Sequence, residues 1–286
     1  IHAVGTEAHL MVGRTPGNIV AIRPLQDGVI ADFEMTEAML RHFIDKIEVR
    51  KMFGGVRMLI CTPASITTVE AKAIRQAGEK SGAKTVFLEV EPKVAAVGAG
   101  MDIWMPAGHM VIDIGGGTTD VAVLSMGDIV CGGTIKVAGD RFDHDIIRSI
   151  KDTHKLIIGE RTAQAVKTTV ATVSEDGRSE QMDIRGRNLV TGLPHNITVT
   201  SEEMHDALAE AAMEIVEATK RVLEKTPPEL AADIIDRGII LTGGGALLDG
   251  IDQLLAKELG LPVLIAEDPM LCVARGTGIM LDNLGK

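Results

Sequence analysis

The sequence predicts an α/β protein, and two observations carry that prediction. Apolar, strand-like runs alternate with stretches of helical periodicity along the whole chain. The chain has 286 residues, 45% hydrophobic against 24% charged, which is enough for two ordinary domains or one large lobed one with a sizeable core. Only 2% of residues are aromatic and 14 are Met, so that core must be aliphatic, with thioethers filling gaps.

The elements follow in order. A helix is predicted over Thr36–Ile47, with Thr36 as N-cap and Met39, Leu40, Phe43, Ile44 and Ile47 at helical spacing. Val56–Cys61 reads as a short strand, Thr67–Ser81 as a helix closed by Gly82, and Lys84–Leu88 as a strand. Pro92–Gly100 is an Ala-rich helix that starts at a proline. A compositional break at Met105-Pro106-Ala107-Gly108 precedes three strand candidates, Met110–Ile114, Thr119–Ser125 and Ile129–Val137, with Gly127-Asp128 turning between the last two. Asp143–Lys151 and Thr162–Thr172 look helical. Residues 175–200 are polar, turn-rich and weakly alternating, as in a small antiparallel insertion. Met204, Leu208, Ala211, Ile215, Thr219 and Val222 form one stripe of a long amphipathic helix, stopped by Pro227-Pro228. Gly238–Leu241 is a strand, followed by a glycine turn and a helix to Leu259 capped by Gly260. Val263–Ala266 is the last strand and Met270–Leu284 the last helix.

Several function classes recede on composition. A net charge of -11 disfavours a general grip on nucleic acid, whose phosphates need a basic surface. Cys61, Cys131 and Cys272 are odd in number and widely spaced, so buried free thiols in a reducing cytosol are expected rather than a disulfide framework or zinc site. No signal peptide and no apolar run long enough to cross a bilayer is legible. The chain begins at Ile1 in mid-pattern and is expected to be a piece of a longer protein.

Four segments carry chemistry. In Val111-Ile112-Asp113-Ile114-Gly115-Gly116-Gly117-Thr118-Thr119-Asp120, an apolar strand ends in an Asp, three glycines and hydroxyls. Glycines let backbone N–H groups close on a phosphate, and Asp113 is placed to hold a water of a phosphate-bound magnesium ion. No Gly-Lys-Ser/Thr follows, so this is no P-loop, and a tight glycine hairpin with an incidental Asp is the plain alternative. Ile239-Ile240-Leu241-Thr242-Gly243-Gly244-Gly245-Ala246 is again strand, glycine turn, helix, where backbone can approach a base or a phosphate. Glu91-Pro92 puts a carboxylate at a strand-to-helix junction, where it either orients an attacking water or simply complements the helix dipole. Gln164 and Lys167 share a helix face and could grip a ribose and a phosphate, or form an ordinary polar face.

Taken together, these residues resemble a known superfamily. Asp113–Asp120 is similar to the second phosphate motif of actins, heat-shock chaperones and sugar kinases, and Leu241–Leu248 to its adenosine motif. Glu91-Pro92 with Ala95-Ala96, and Val273-Ala274-Arg275-Gly276-Thr277-Gly278, resemble its two connecting helices. Gly13-Arg14-Thr15-Pro16-Gly17-Asn18-Ile19, Arg23–Phe33, Ile158–Ala163 and Leu223–Leu230 narrow the resemblance to MreB-type bacterial actins, across essentially the whole chain. The resemblance implies an actin-like, ribonuclease H-like fold of two lobes around a nucleotide cleft. Residues 1–104 would form the first lobe, with 270–286 returning to it. Residues 105–269 would form the second, with a smaller subdomain near 145–225.

The same resemblance implies ATP and Mg2+ as cofactors. Asp113 would position the magnesium hydration shell. Gly115, Gly116, Gly117 and Thr118 would bind phosphate, and Glu91 would position the attacking water. Gln164 and Lys167 would contact ribose and base, with Gly243, Gly244, Gly245 and Ala246 completing the adenosine pocket. Gln164 stands where the family usually has Glu, and its amide still accepts a hydrogen bond from a ribose. The family's first phosphate loop, an Asp-Leu-Gly-Thr-like turn, has no counterpart here. ATP hydrolysis coupled to assembly is expected of a chain that carries it. Implied partners are further copies in paired protofilaments, lipid at the inner face of the cytoplasmic membrane, and proteins of cell-wall elongation. A chaperone-type ATPase would need a peptide-binding domain, and a small-molecule kinase a substrate pocket with a base; neither is placed.

Arg50-Lys51-Met52-Phe53-Gly54-Gly55 sets two apolar residues beside two cations. Met52 and Phe53 suit insertion among headgroups with the charges on anionic lipid, and MreB-like proteins resemble this at the same position; the alternative is that Phe53 tucks back onto its own lobe.

Overall fold

A computed structural model of the chain describes residues 1–26, 28–47 and 55–284. The elements in chain order are α1 (Thr6–Met11), β1 (Leu25–Gln26), β2 (Val29–Ile30), α2 (Phe33–Lys46), β3 (Val56–Thr62), α3 (Thr68–Lys80), β4 (Ala83–Val90) and α4 (Glu91–Gly98). Then come β5 (His109–Ile114), β6 (Thr119–Ser125), β7 (Asp128–Ile135), α5 (Gly139–His154), β8 (Leu156–Ile157), α6 (Glu160–Thr169), β9 (Gln181–Asn188) and β10 (Pro194–Thr200). The chain closes with α7 (Ser201–Leu223), α8 (Pro228–Arg237), β11 (Ile239–Thr242), α9 (Ile251–Leu259), β12 (Val263–Ile265) and α10 (Cys272–Asn283). Short 3-10 turns cover Gly244–Leu247 and Pro269–Leu271.

A five-stranded mixed sheet in the order β12-β11-β5-β6-β7 organises the molecule. β11 lies parallel to both β5 and β12, whereas β5, β6 and β7 form an antiparallel meander. Side chains alternate across a sheet, so each face has its own core. Met110, Ile112, Ile114, Val121 and Val123 join Phe142 and Ile146 of α5 and Met204, Leu208 and Ile215 of α7. Val111, Ala122 and Leu124 on the reverse face join Ala95, Ala96 and Val97 of α4. β9 and β10 form the antiparallel insertion the sequence predicts over 175–200, β8 joins them as a third strand from outside it, and β3 pairs with β4 in parallel.

α4 crosses α10 at backbone contact. A Cβ on Gly98 would collide with the Cys272 carbonyl, and one on Gly276 with the Val94 carbonyl. Glycine is the residue that permits two helices to approach so closely.

Several boundaries differ from expectation. Asp32, not Thr36, caps α2: its side chain accepts from the Met35 amide at 3.0 Å, while Thr36 is buried and donates its hydroxyl to the Asp32 carbonyl at 2.7 Å. The β6–β7 turn is Met126-Gly127, both with positive φ (53° and 81°), and Asp128 already pairs with Ser125. The amides of Met126 and Gly127 bond the carbonyls of Met105 and Ile103, and the Trp104 ring lies against Gly127. α5 begins at Gly139 rather than Asp143, and α10 at Cys272 rather than Met270. α1 and α8 have no counterpart among the predicted elements. Of the three free cysteines only Cys272 is fully buried, and Cys61 and Cys131 are half-buried.

Candidate functional site

β5 and β11 run parallel with Asp113 opposite Thr242, so the two glycine bends emerge side by side from the carboxyl ends of neighbouring strands. This is where open α/β sheets hold ligands. The first bend closes with the Gly115 amide on the Thr118 carbonyl at 2.9 Å. At the second, Gly243 has φ 81°, and a Cβ there would strike the Ile114 carbonyl and come within 2.8 Å of Asp113 Oδ1. A Cβ on Gly245 would strike Ile114 Cγ2. The second bend therefore needs glycine at 243 and 245 because it packs on the end of β5. The Thr242 hydroxyl adds a direct tie, donating to Asp113 Oδ1 at 2.9 Å.

A cavity of about 420 Å³ opens against both bends. Gly115, Gly116, Gln164, Lys167, Gly244 and Gly245 line it, as do Gly139, Asp140, Asp143, Glu160 and Arg161. Leu247, Leu248 and Met270 give it an apolar patch, and His9, Val12 and Arg23 reach it from the N-terminal segment. Lys167 Nζ donates to the Gly139 carbonyl at 2.9 Å and lies 2.9 Å from Asp143 Oδ1. Burial pushes the Asp143 carboxyl up from its ordinary value, and the Lys167 ammonium opposes that. The amides of Gly139 and Asp140 donate to the carbonyls of Gly115 and Gly116 at 3.1 and 2.7 Å, which fixes the start of α5 to the first bend.

The other predicted residues stand behind this wall. Thr118 and Asp113 are buried, at 7% and 5% exposure, and Ala246 is fully buried in the main core. Gly117 and Gly243 belong to the bends without lining the cavity. Glu91 opens α4 and meets Asp113 and Asp120 electrostatically. Asp113 and Asp120 pair across β5 and β6 on the face that packs against α4. Burial first, then Asp113 and Asp120, raise Glu91 to about 7. Burial raises Asp113 to about 6, against the Thr242 hydrogen bond. Asp120 is also raised by burial, although it accepts from the Thr134 hydroxyl at 2.6 Å and the Ala64 amide at 3.2 Å. Cys61, whose thiol lies 3.1 Å from the Thr277 hydroxyl, is pushed up by burial to about 11 and stays protonated. Met52 and Phe53 lie outside the described residues.

Sequence reasoning gave no role to Asp120, Asp140, Asp143 or Arg23. Asp120 was within reach, because a four-residue bend at 115–118 forces residues 113 and 120 into register on one face. The others have no local signal.

Comparison with known proteins agrees with this geometry. The family model described as MreB/Mbl protein matches residues 1–286. The cell shape-determining protein Mbl of Bacillus subtilis is 66% identical over 99% of this chain and 85% of its own length. The cell shape-determining protein MreB of Escherichia coli is 47% identical over 99% and 82%. The crystal structure of MreB 5 of Spiroplasma citri bound to AMPPNP superposes with a TM-score of 0.94, at 40% identity, over 99% of this chain and 85% of that one. The fold is thus the two-lobed actin-like one that the glycine motifs imply, and the chain belongs to the MreB/Mbl protein family.

Proposed function

We propose that this chain is a cell-shape-determining cytoskeletal protein that assembles into actin-like filaments under the control of ATP bound between its two glycine bends. One observation carries the reading: Gly115-Gly116 and Gly244-Gly245 line the same cavity. The residues fit a nucleotide. The volume, about 420 Å³, suits a ligand of that size, and an apolar wall faces a polar one in the way small-ligand sites are built. The Spiroplasma relative was crystallised with AMPPNP, an ATP analogue.

In this reading Gly115 and Gly116 hold phosphate, with Gly117 and Thr118 shaping that bend from behind, and Gln164, Lys167, Gly244 and Gly245 hold the adenosine, with Gly243 and Ala246 supporting them. Lys167 also braces Gly139 and Asp143, which keeps the start of α5 against the phosphate bend. Asp113 would hold the water shell of Mg2+, which would supply positive charge at the phosphates. Burial raises its carboxyl only to about 6, so it is largely ionised at neutral pH and suited to a cation's hydration shell. Glu91, raised to about 7, is poised to take a proton from an attacking water at neutral pH. Closure of the two lobes on ATP favours the polymer-competent arrangement. The filament lies in the cytoplasm on the inner face of the membrane, through Met52 and Phe53, and positions cell-wall elongation proteins.

The test is electron microscopy with and without ATP, alongside equilibrium binding of a fluorescent ATP analogue. Filaments that require ATP are expected. Saturable binding without polymer under any condition would instead favour a non-polymerising ATPase or kinase. In a full-length chain that carries the first phosphate loop, Glu91→Ala should slow phosphate release and leave nucleotide affinity nearly intact; unchanged turnover would remove its role. Met52→Ser/Phe53→Ser should abolish flotation with anionic liposomes, and undiminished flotation would remove the anchor.

A further inference from the structure

Four contacts cross the mouth of the cavity from the N-terminal segment. Arg23 Nη1 lies 3.1 Å from Asp140 Oδ1, and Arg23 Nη2 lies 2.9 Å from Glu160 Oε2. His9 Nε2 lies 3.2 Å from Gln164 Oε1, and Arg161 donates to the Leu10 carbonyl at 3.1 Å. The partners are 117 to 155 residues apart in the chain, so these contacts report how two distant parts of the fold close on each other. The Arg23 fork is central. Its rigid, planar donors span two carboxylates from different elements, Asp140 on α5 and Glu160 on α6.

Asp140 does not sit there independently. Its amide donates to the Gly116 carbonyl at 2.7 Å, and its neighbour Gly139 donates to Gly115 at 3.1 Å. The carboxylate that Arg23 grips is therefore carried on the same backbone that shapes the first glycine bend. Both Arg23 pairs are about half exposed (45% against 50% and 52%), and pairs so exposed are individually weak and screened by salt. Weakness suits a contact that must open each time a ligand enters or leaves.

We infer that Arg23 is a positioning residue, a latch that closes the N-terminal segment over the cavity and links that closure to occupancy of the Gly115–Gly116 bend by a nucleoside polyphosphate. The inference rests on the nucleotide reading above. It adds a kinetic role: the latch sets how slowly the nucleotide escapes.

The experiment measures dissociation of a fluorescent ATP analogue by stopped flow, at low and high sodium chloride, for the wild type, Arg23→Ala, Arg23→Glu and Arg23→Glu/Glu160→Arg. Thermal melting checks that each variant is folded. Wild-type release should accelerate with salt. Arg23→Ala should release about fivefold faster at low salt, with most of the salt dependence gone. Arg23→Glu, which faces Asp140 and Glu160 with a like charge, should be faster still, and the charge exchange, which rebuilds the pair at 160 but leaves Asp140 facing a like charge, should restore part of the slow, salt-sensitive release. An Arg23→Ala rate and salt slope equal to wild type would overturn the latch, leaving a surface ion pair without function. Release from the exchanged variant as fast as from Arg23→Glu would also overturn it, since the pair at 160 would then contribute nothing to closure.

Failure of the nucleotide reading looks different: no form, wild type included, shows saturable binding. Closure is then read by hydrogen exchange over residues 5–12 of the unliganded protein. Faster exchange in Arg23→Ala supports the latch, and unchanged exchange sinks it.

Discussion

Asp113 and Asp120 stand directly opposite one another on adjacent antiparallel strands, both buried and both within electrostatic reach of Glu91. All three are raised, by burial first, and neighbouring carboxylates add to the rise at Glu91 and Asp113.

The stability of the unliganded protein should therefore depend on pH in a defined sense. A raised folded-state pKa means the folded chain binds more protons than the unfolded one, so these groups favour folding on the acid side and lose that advantage as pH rises. For Glu91 the window runs from 4.5 to about 7. Glu91→Gln should melt higher than wild type above this window, by on the order of 1–2 kcal/mol or a few degrees, with no advantage below it. Calorimetry at the two ends checks the sign; a gain confined to the acid side would contradict the burial argument.

The crossing of α4 and α10 makes a paired prediction within one helix. Gly276→Ala places a methyl on the Val94 carbonyl and should cost about 2–4 kcal/mol, despite alanine's better helix propensity. Gly278→Ala, two residues on, meets nothing within 4 Å and should gain up to about 1 kcal/mol. Urea denaturation midpoints of the two variants should move in opposite directions.

Lys167→Met should destabilise by about 3–5 kcal/mol, because it leaves the Asp143 carboxylate and the Gly139 carbonyl without their ammonium partner. The loss should be largest at high pH and shrink on acidification, as Asp143, already raised, takes up a proton. Adding Asp143→Asn should recover part of it. A Lys167→Met variant as stable as wild type at every pH would show the pair to be dispensable.

α3 opens with a complete capping box: Thr67 Oγ1 accepts from the Glu70 amide while Glu70 bonds back to the Thr67 amide at 2.8 Å. Thr67→Ala should cost about 1 kcal/mol. Neither residue lines the cavity, so ATP-analogue affinity should not change while the melting temperature drops.

The parts of the fold legible in the sequence are those with a local cause. The three glycines after Ile114 and after Thr242 each mark the end of a strand, and Thr67 and Gly82 bracket α3 as a cap and a positive-φ stop. Where two local signals compete, the wrong one can be chosen: Asp32 and Thr36 are both good caps, and only packing buries Thr36. The ten residues of α8, pressed between a proline pair and a strand, are too short for periodicity to stand out. Met126 at positive φ is chosen by the hairpin and not by its own preference. The site divides in the same way. The glycines that line it are written in consecutive letters, whereas Arg23 and Asp140 are 117 positions apart and meet only through the folded topology.

Trp104 lies half exposed against Gly127, at the ends of β5 and β6 away from the bends, and it is the only tryptophan in a chain without tyrosine. Intrinsic fluorescence is consequently a single-site reporter aimed at that remote corner. A ligand in the cavity can change it only by shifting the corner itself, so a silent emission spectrum would carry no information about whether the cavity is filled.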